Sequence, residues 1–165
     1  MLIDTLRRMI VFILLCLAQA LVFNRIQLFH CAYPLVYVYF IIIFPRSYPR
    51  WALLLWAFFM GLGVDLFSDT PGLAATSLTL IGLLQPMLLE LFLPRDAESD
   101  IRSSAATLGW GNFTALSSLL ILIYCLVFFT IEAFSFANWL YWLECIGGSF
   151  LLTFVLILSL ESVRK

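Results

Sequence analysis

The sequence predicts an all-helical integral membrane protein with six transmembrane helices and both termini in the cytoplasm. Hydrophobic residues make up 64% of the chain and charged residues 12%, whereas a soluble domain carries roughly 45–50% and about 25%. A membrane-crossing helix needs about 20 mostly apolar residues. Six crossings therefore use nearly all of the 165 residues and leave no soluble domain, so the whole chain is predicted to form one transmembrane domain.

Polar breaks divide the apolar residues into successive runs. The first two runs, 9–23 and 31–44, are separated by the polar stretch 24–30. One helix over both would be about 54 Å long, far beyond a hydrocarbon core of roughly 30 Å, so we predict two crossings. The second run is short, and Pro34 suits the first turn of a helix that begins near Phe29. The other four helices are predicted over 51–67, 73–93, 105–131 and 139–160.

The basic residues predict the orientation. Six crossings with the N-terminus inside leave only Arg25 among the nine Lys and Arg residues on the outer side. Such a bias in short loops is typical of the cytoplasmic side of membrane proteins. The inner set is Arg7, Arg8, Arg46, Arg50, Arg95, Arg102, Arg164 and Lys165. The inner loop 95–102 carries mixed charge, and we interpret it as a solvated loop or as a docking segment for a cytoplasmic partner.

The chain offers little chemistry for catalysis or cofactor binding. It holds one histidine, His30, and its four cysteines show neither a CxxC nor a Cys/His spacing, so no metal, disulfide or cofactor is expected. Gly147-Gly148-Ser149 is not a nucleophile elbow, and a Ser149–His30 pair is a remote alternative to helix packing. No basic patch points to nucleic acid. We therefore expect a protein that is not an enzyme and whose surroundings are the lipid bilayer.

The segment from Gly61 to Gly72 is the most informative, because it places Asp65 near the end of an apolar run, where charge is expensive and rare without a role. A structural hypothesis is a tight hairpin. The glycines at 61 and 63 allow close backbone approach, Asp69 or Thr70 caps the next helix, and Pro71 occupies its first position. Asp65 then binds N–H groups of the turn 68–70. The alternatives are an ion pair of Arg25 with Asp65 or Glu144, or a contact with a partner or ligand.

These residues resemble MreD, the small multi-pass subunit of the bacterial rod-shape machinery, in the form found in Bacteroidota. The resemblance rests on Gly61-x-Gly63-x-Asp65-Leu66-Phe67-Ser68-x-Thr70-Pro71-Gly72, followed by Ala74-Ala75 and by Gln85-Pro86 in the same run. Chain length and span number are also similar to the family. Gln85 departs from the basic residue often found before this proline, so a charged contact is not implied there.

The resemblance implies a non-catalytic scaffold of the inner (cytoplasmic) membrane that maintains cell shape. It implies direct binding to the single-span protein MreC within the membrane. Through MreC it implies an indirect link between MreB filaments and the transpeptidase and glycosyltransferase that build lateral peptidoglycan. The fold of the family resembles the substrate-binding subunits of energy-coupling-factor transporters.

That similarity defines an alternative function, a vitamin-like small-molecule binding subunit of a membrane transporter. Polar and small residues along the runs 73–93 and 105–131 favour it. The first run lacks an Ala-x-x-x-Ala pair for docking a transport partner, because Ala18 and Ala20 have the wrong spacing.

Overall fold

The computed structural model describes residues 2–26, 30, 32–93 and 103–164. Its regular elements are helices, joined by short 3-10 turns at Phe23–Arg25 and Phe136–Asn138. The inner loop 95–102, the first residue of the predicted second helix, Cys31, and Lys165 lie outside the described residues. The helices are α1 (Leu2–Leu21), α2 (Val38–Ile42), α3 (Arg50–Ser68), α4 (Leu73–Phe92), α5 (Ala105–Leu108), α6 (Trp110–Ala133) and α7 (Trp139–Val163).

Four helices, α3, α4, α6 and α7, are long and apolar enough to cross a membrane, which supports the predicted multi-pass helical architecture. The runs predicted at 51–67, 73–93 and 139–160 correspond closely to α3, α4 and α7. The run 105–131 is instead divided between α5 and α6 at Gly109, where φ is +83°, a conformation that glycine adopts without steric cost. The first helix begins at Leu2 rather than at residue 9, so it includes Asp4, Arg7 and Arg8.

The prediction of a helix over 31–44 is wrong for the first part of this run. The chain is helical only over Val38–Ile42, and the residues from Ala32 to Val36 form no helix. Pro34 lies in this non-helical part rather than in the first turn of a helix. The segment is nevertheless deeply buried, with Tyr37 only 1% exposed and Ile41 not exposed at all. Burial rather than helical structure explains its apolar composition. We call residues 32–44 the buried segment.

Side chains of neighbouring helices bind the backbone of the buried segment. The N–H of Tyr33 donates to Ser149 Oγ at 3.0 Å, and the N–H of Leu35 donates to Thr153 Oγ1 at 3.0 Å. From α1, Gln19 Nε2 donates to the carbonyl of Pro34 at 2.9 Å. Non-helical backbone at membrane depth is tolerated only where protein buries it and satisfies its polar groups. These three bonds satisfy part of this backbone, and the turn that leads into α2 satisfies the carbonyls of Leu35 and Val36.

The non-helical start of the buried segment also helps so short a segment to reach across the protein. The segment runs in the same direction as α7, because Tyr33 contacts Ser149 and Tyr39 contacts Glu161. Between those two positions α7 rises about 18 Å at about 1.5 Å per residue. Non-helical chain can advance up to about 3.3 Å per residue, so residues 33–35 cover more of that distance than a helix would, before the chain turns into α2. A helix from Tyr33 to Tyr39 would rise only about 9 Å, half of the distance.

The long helices surround the buried segment. Helix α4 packs against both α3 and α6, α6 packs against α7, and α2 contacts α1, α4 and α6. At the centre, the hydroxyls of Tyr37 and Tyr124 lie within hydrogen-bond distance, 2.5 Å apart, and both side chains are fully buried. Each phenol thereby finds a polar partner in an otherwise apolar interior.

The contact between α7 and the buried segment yields a stability prediction. Replacing Thr153 by Val keeps the shape of the side chain but leaves the Leu35 N–H without its acceptor. An unsatisfied buried donor costs about 1–3 kcal/mol, so the free energy of unfolding in detergent should fall by that amount. Thr153→Ser, which retains the hydroxyl, should lose less.

A matched control is Thr79→Val. The Thr79 hydroxyl donates to the carbonyl of Ala75, four residues earlier in its own helix, so its removal orphans no donor. Its effect on unfolding should stay within about 0.5 kcal/mol, as for most substitutions away from special features. Equal losses for Thr153→Val and Thr79→Val would contradict the role assigned to Thr153.

Candidate functional site

Asp65 is buried at the end of α3 and caps the following helix. Asp65 is only 4% exposed. Oδ1 accepts hydrogen bonds from the Ala74 N–H at 2.8 Å and from Thr70 Oγ1 at 3.0 Å, and Oδ2 accepts one from the Ala75 N–H at 2.9 Å. The first N–H groups of a helix have no partners within the helix, and its positive dipole end favours an anion. The Asp65 carboxylate accepts hydrogen bonds from two of these N–H groups of α4 and places a negative charge at the positive end of the helix dipole.

The structure corrects several details of the predicted hairpin. The Asp65 side chain binds amides of α4 rather than N–H groups of the turn 68–70. Asp69 does not cap α4, but occupies the left-handed conformation after α3, with φ of 54°, and the Thr70 hydroxyl donates to Asp65. Pro71 precedes the helix instead of opening it, because Gly72, with φ of +83°, is the N-cap.

At Gly61 and Gly63, α3 lies close to its neighbours. A Cβ atom on Gly61 would lie 2.3 Å from Ala75 Cα, and one on Gly63 would lie 3.0 Å from Cys16 Sγ. Ala75 is also one of the residues whose N–H binds Asp65. The absence of a side chain at Gly61 therefore allows the two backbones to approach closely enough for the carboxylate to reach the start of α4.

The Gln85-Pro86 pair lies farther along α4, near the end of the buried segment. Pro86 is inside the helix, and Gln85 is 1% exposed. Gln85 Nε2 donates to the carbonyl of Phe44 at 3.2 Å, and Ser103 Oγ donates to the same carbonyl at 3.0 Å. Gln85 thus connects α4 to the buried segment by a hydrogen bond to a backbone carbonyl, and this bond does not require a charged side chain at position 85.

A cavity of about 360 Å³ lies beside the hairpin. One wall comes from the hairpin itself and includes Ser68, Asp69 and Thr70. The other walls come from the end of α1, the non-helical part of the buried segment and the end of α6. They are formed by Gln19, Ala20, Arg25, Tyr33, Leu35, Tyr37, Phe128 and Glu132. The segment 61–72 therefore borders the cavity through Ser68 and Thr70, while the carboxylate of Asp65 is directed to α4.

The charges around this cavity are Arg25, Asp69 and Glu132. Neither predicted ion pair of Arg25 is formed among the described residues. Asp65 uses both oxygens for Thr70 and α4, and Glu144 lies on the exposed face of α7. A cavity with both signs of charge and aromatic walls can accommodate a small polar molecule through several groups at once.

Glu161, near the end of α7, is a second buried carboxylate, which the sequence reasoning missed. It is 4% exposed and accepts hydrogen bonds from Tyr39 Oη at 2.5 Å, Ser104 Oγ at 2.7 Å and the Ala105 N–H at 2.8 Å. Arg164 Nη1 lies 3.7 Å from its Oε2. Glu161 holds together the buried segment, the start of α5 and the end of α7. Its position at the edge of the last apolar run made it resemble an ordinary interfacial residue.

The remaining catalytic alternative, Ser149 with His30, is not assembled. Ser149 is fully buried, and its Oγ accepts the Tyr33 N–H. The carbonyl of His30 accepts a hydrogen bond from Tyr141 Oη at 3.2 Å. Ser149 therefore acts as a backbone acceptor in the fold. Among the residues that the structure describes, no group of three or more His, Cys, Asp or Glu is placed to hold a metal ion.

Comparison of the chain with protein-family models, with curated proteins and with solved structures finds no match.

The cap yields a second prediction. Asp65→Asn removes the negative charge and replaces one acceptor oxygen by a donor that faces an N–H of α4. Together these losses should lower the free energy of unfolding by about 1–3 kcal/mol. The control is Asp69→Asn, four positions away, because Asn tolerates the left-handed conformation of that exposed residue. Unchanged stability of Asp65→Asn, with a loss confined to partner or ligand binding, would contradict the cap.

A third prediction concerns the backbone contact at Gly61. Gly61→Ala would place a methyl group against Ala75 and force α3 and α4 apart, which should cost about 1–3 kcal/mol or more. Gly147→Ala in α7 is the matched control, because nothing lies within 4 Å of the added atom. Removing that helical glycine should instead stabilise by about 0.5–1 kcal/mol. Detergent unfolding measures both, and effects of the same sign would contradict the assignment.

Proposed function

We propose that this chain is a non-catalytic membrane scaffold of the bacterial rod-shape complex, with the role that its resemblance to MreD implies. The observation that carries the proposal is the hairpin between α3 and α4. Gly61, Asp65, Thr70 and Gly72, which carry the resemblance, take part together in one local structure through the close approach, the cap, the hydroxyl contact and the left-handed turn. Because these residues cooperate in one local structure, they support the resemblance to MreD more strongly than shared hydropathy does.

The proposed arrangement in the membrane has six crossings with both termini cytoplasmic. Helices α1, α3, α4, α6 and α7 provide five crossings, and the buried segment provides the second in sequence order. The positive-inside distribution supports this orientation. Exposed Trp51 near the start of α3 and exposed Trp139 at the start of α7 support the proposed ends of these two crossings, since both then lie at membrane interfaces, where tryptophan is enriched. The location is the inner membrane of a bacterium.

The proposed partner within the membrane is the single-span protein MreC. Large apolar side chains are exposed along α1 and α7, among them Leu14, Leu17, Leu151 and Val155. A partner helix and lipid both accept such surfaces. In the proposal MreC links the protein indirectly to MreB filaments and to the transpeptidase and glycosyltransferase of lateral peptidoglycan synthesis.

A second candidate function is a small-molecule binding subunit of a membrane transporter. The cavity beside the hairpin favours it, because about 360 Å³ falls within the range of roughly 300–1,000 Å³ typical of ligand pockets. Non-helical backbone within the membrane also occurs at transporter binding sites. Unlike the scaffold, this function requires a bound ligand and a transport partner.

The fourth prediction separates the two functions. In a rod-shaped bacterium with one copy of the gene, depletion should convert rods into spheres, and expression of the wild-type chain should restore them. An affinity-tagged chain purified from the membrane should retain MreC, whereas an equally tagged unrelated multi-pass protein should not. Cell width and mass spectrometry of the purified complex are the measurements. Normal rods after depletion, with a transport ATPase and a small molecule in the purified sample, would favour the transporter subunit instead.

A further inference from the structure

A second cavity, of about 280 Å³, lies at the opposite end of the protein from the α3–α4 hairpin. It is bounded by the start of α1, the end of the buried segment and the end of α7. Its lining has two chemically distinct parts. Arg7, Arg8 and Arg164 provide positive charge, whereas Val11 and Ile43 belong to an apolar wall. We call this the arginine cavity.

The lining of the arginine cavity is net positive. Three arginines line it together with one acidic residue, Asp4, and Glu161 lies against Arg164 from outside the lining. A guanidinium carries five N–H donors and no acceptor, and its planar fork matches phosphate oxygens through paired hydrogen bonds. Side chains from two helices distant in sequence therefore converge on a space suited to an anion.

Contacts within the protein hold two of these guanidinium groups in place. The Arg8 guanidinium carbon lies 4.2 Å from the ring centre of Tyr48 and 5.2 Å from that of Phe44, within the range of cation–π attraction. Arg164 Nη1 lies 3.2 Å from Tyr39 Oη and 3.7 Å from Glu161 Oε2. Positioning these side chains in advance lowers the entropic cost of binding a ligand.

We propose that the arginine cavity binds the phosphate group of an anionic phospholipid. The positive side recognises the phosphate, and the apolar wall accommodates the start of the acyl chains. Basic pockets between transmembrane helices on the cytoplasmic side are a known mode of lipid headgroup recognition. A soluble phosphate ester offers the same anionic group, but it makes no use of the apolar wall formed by Val11 and Ile43. The site does not depend on the scaffold role proposed above.

The test is a lipid titration of the purified full-length protein, followed by native mass spectrometry with dioleoyl phosphatidylglycerol and dioleoyl phosphatidylcholine as probes. The wild-type protein should bind the anionic lipid preferentially. The double variant Arg7→Gln/Arg8→Gln should bind phosphatidylglycerol roughly tenfold more weakly, because each arginine near the headgroups contributes several-fold. Phosphatidylcholine also has a phosphate, but its choline cation offsets that charge, so its binding should be weaker from the start and should change less than about twofold.

The matched control is Arg46→Gln/Arg50→Gln. It removes the same charge from two exposed arginines that do not line the cavity, and it should leave phosphatidylglycerol binding within about twofold of wild type, because these residues lie outside the site. Equal weakening by both double variants would show attraction to general surface charge and would overturn the site. Thermal unfolding verifies that both variants fold. If Arg7→Gln/Arg8→Gln does not fold, the single variant Arg7→Gln is used instead, because the Arg7 side chain is exposed. Its affinity for phosphatidylglycerol should fall several-fold.

A competition experiment identifies the source of the phosphate. Inorganic phosphate at millimolar concentration should displace little phosphatidylglycerol, because it lacks the apolar contacts. Binding of inorganic phosphate that the Arg7→Gln/Arg8→Gln variant abolishes, without preference for phosphatidylglycerol, would overturn the lipid assignment in favour of a soluble phosphate ligand.

Discussion

Satisfying buried backbone polar groups is the constraint on which the rest of this structure depends. From Ala32 to Val36 the chain crosses the interior outside any helix, so its N–H and C=O groups need partners from other parts of the protein as well as from the turn that follows. Ser149 and Thr153 of α7 accept two of the N–H groups, and Gln19 of α1 donates to a carbonyl. Because these bonds need defined distances, they fix how α1 and α7 lie against the buried segment.

The two buried carboxylates satisfy backbone N–H groups at the starts of helices. Asp65 binds the first amides of α4, and Glu161 binds the first amide of α5. Both are 4% exposed, and both come from a different helix than the one they cap. Each cap therefore stabilises a tertiary contact together with a helix terminus. This explains why a chain with so few charged residues places some of them inside, where an unpaired charge would be very costly.

The sequence allowed α3, α4 and α7 to be located because hydropathy and polar breaks mark a membrane helix directly. The conformation of residues 32–36 could not be obtained in this way, because a continuous apolar run suits a buried extended chain as well as a helix. For Asp65 the sequence suggested binding to backbone N–H groups as one of several alternatives. The amides that it binds depend on the close approach of Gly61 to Ala75, a tertiary contact. Glu161 combines partners from positions 39, 104 and 105, a convergence that no local pattern reveals.

Polar groups that bind backbone in the interior serve folding, whereas charged groups that line the cavities are available for recognition. Asp65, Glu161, Ser149 and Thr153 are engaged with backbone in the interior, so substituting them alters stability before it alters binding. The charged side chains that line the two cavities lie at opposite ends of the protein, with Arg25 and Glu132 at one end and the arginine cavity at the other. Because the hairpin carboxylate is already used by α4, recognition at that end depends on cavity residues around the motif. Substitutions that probe binding therefore belong at these lining positions, where the loss of a contact to a ligand or partner can be measured on a folded protein.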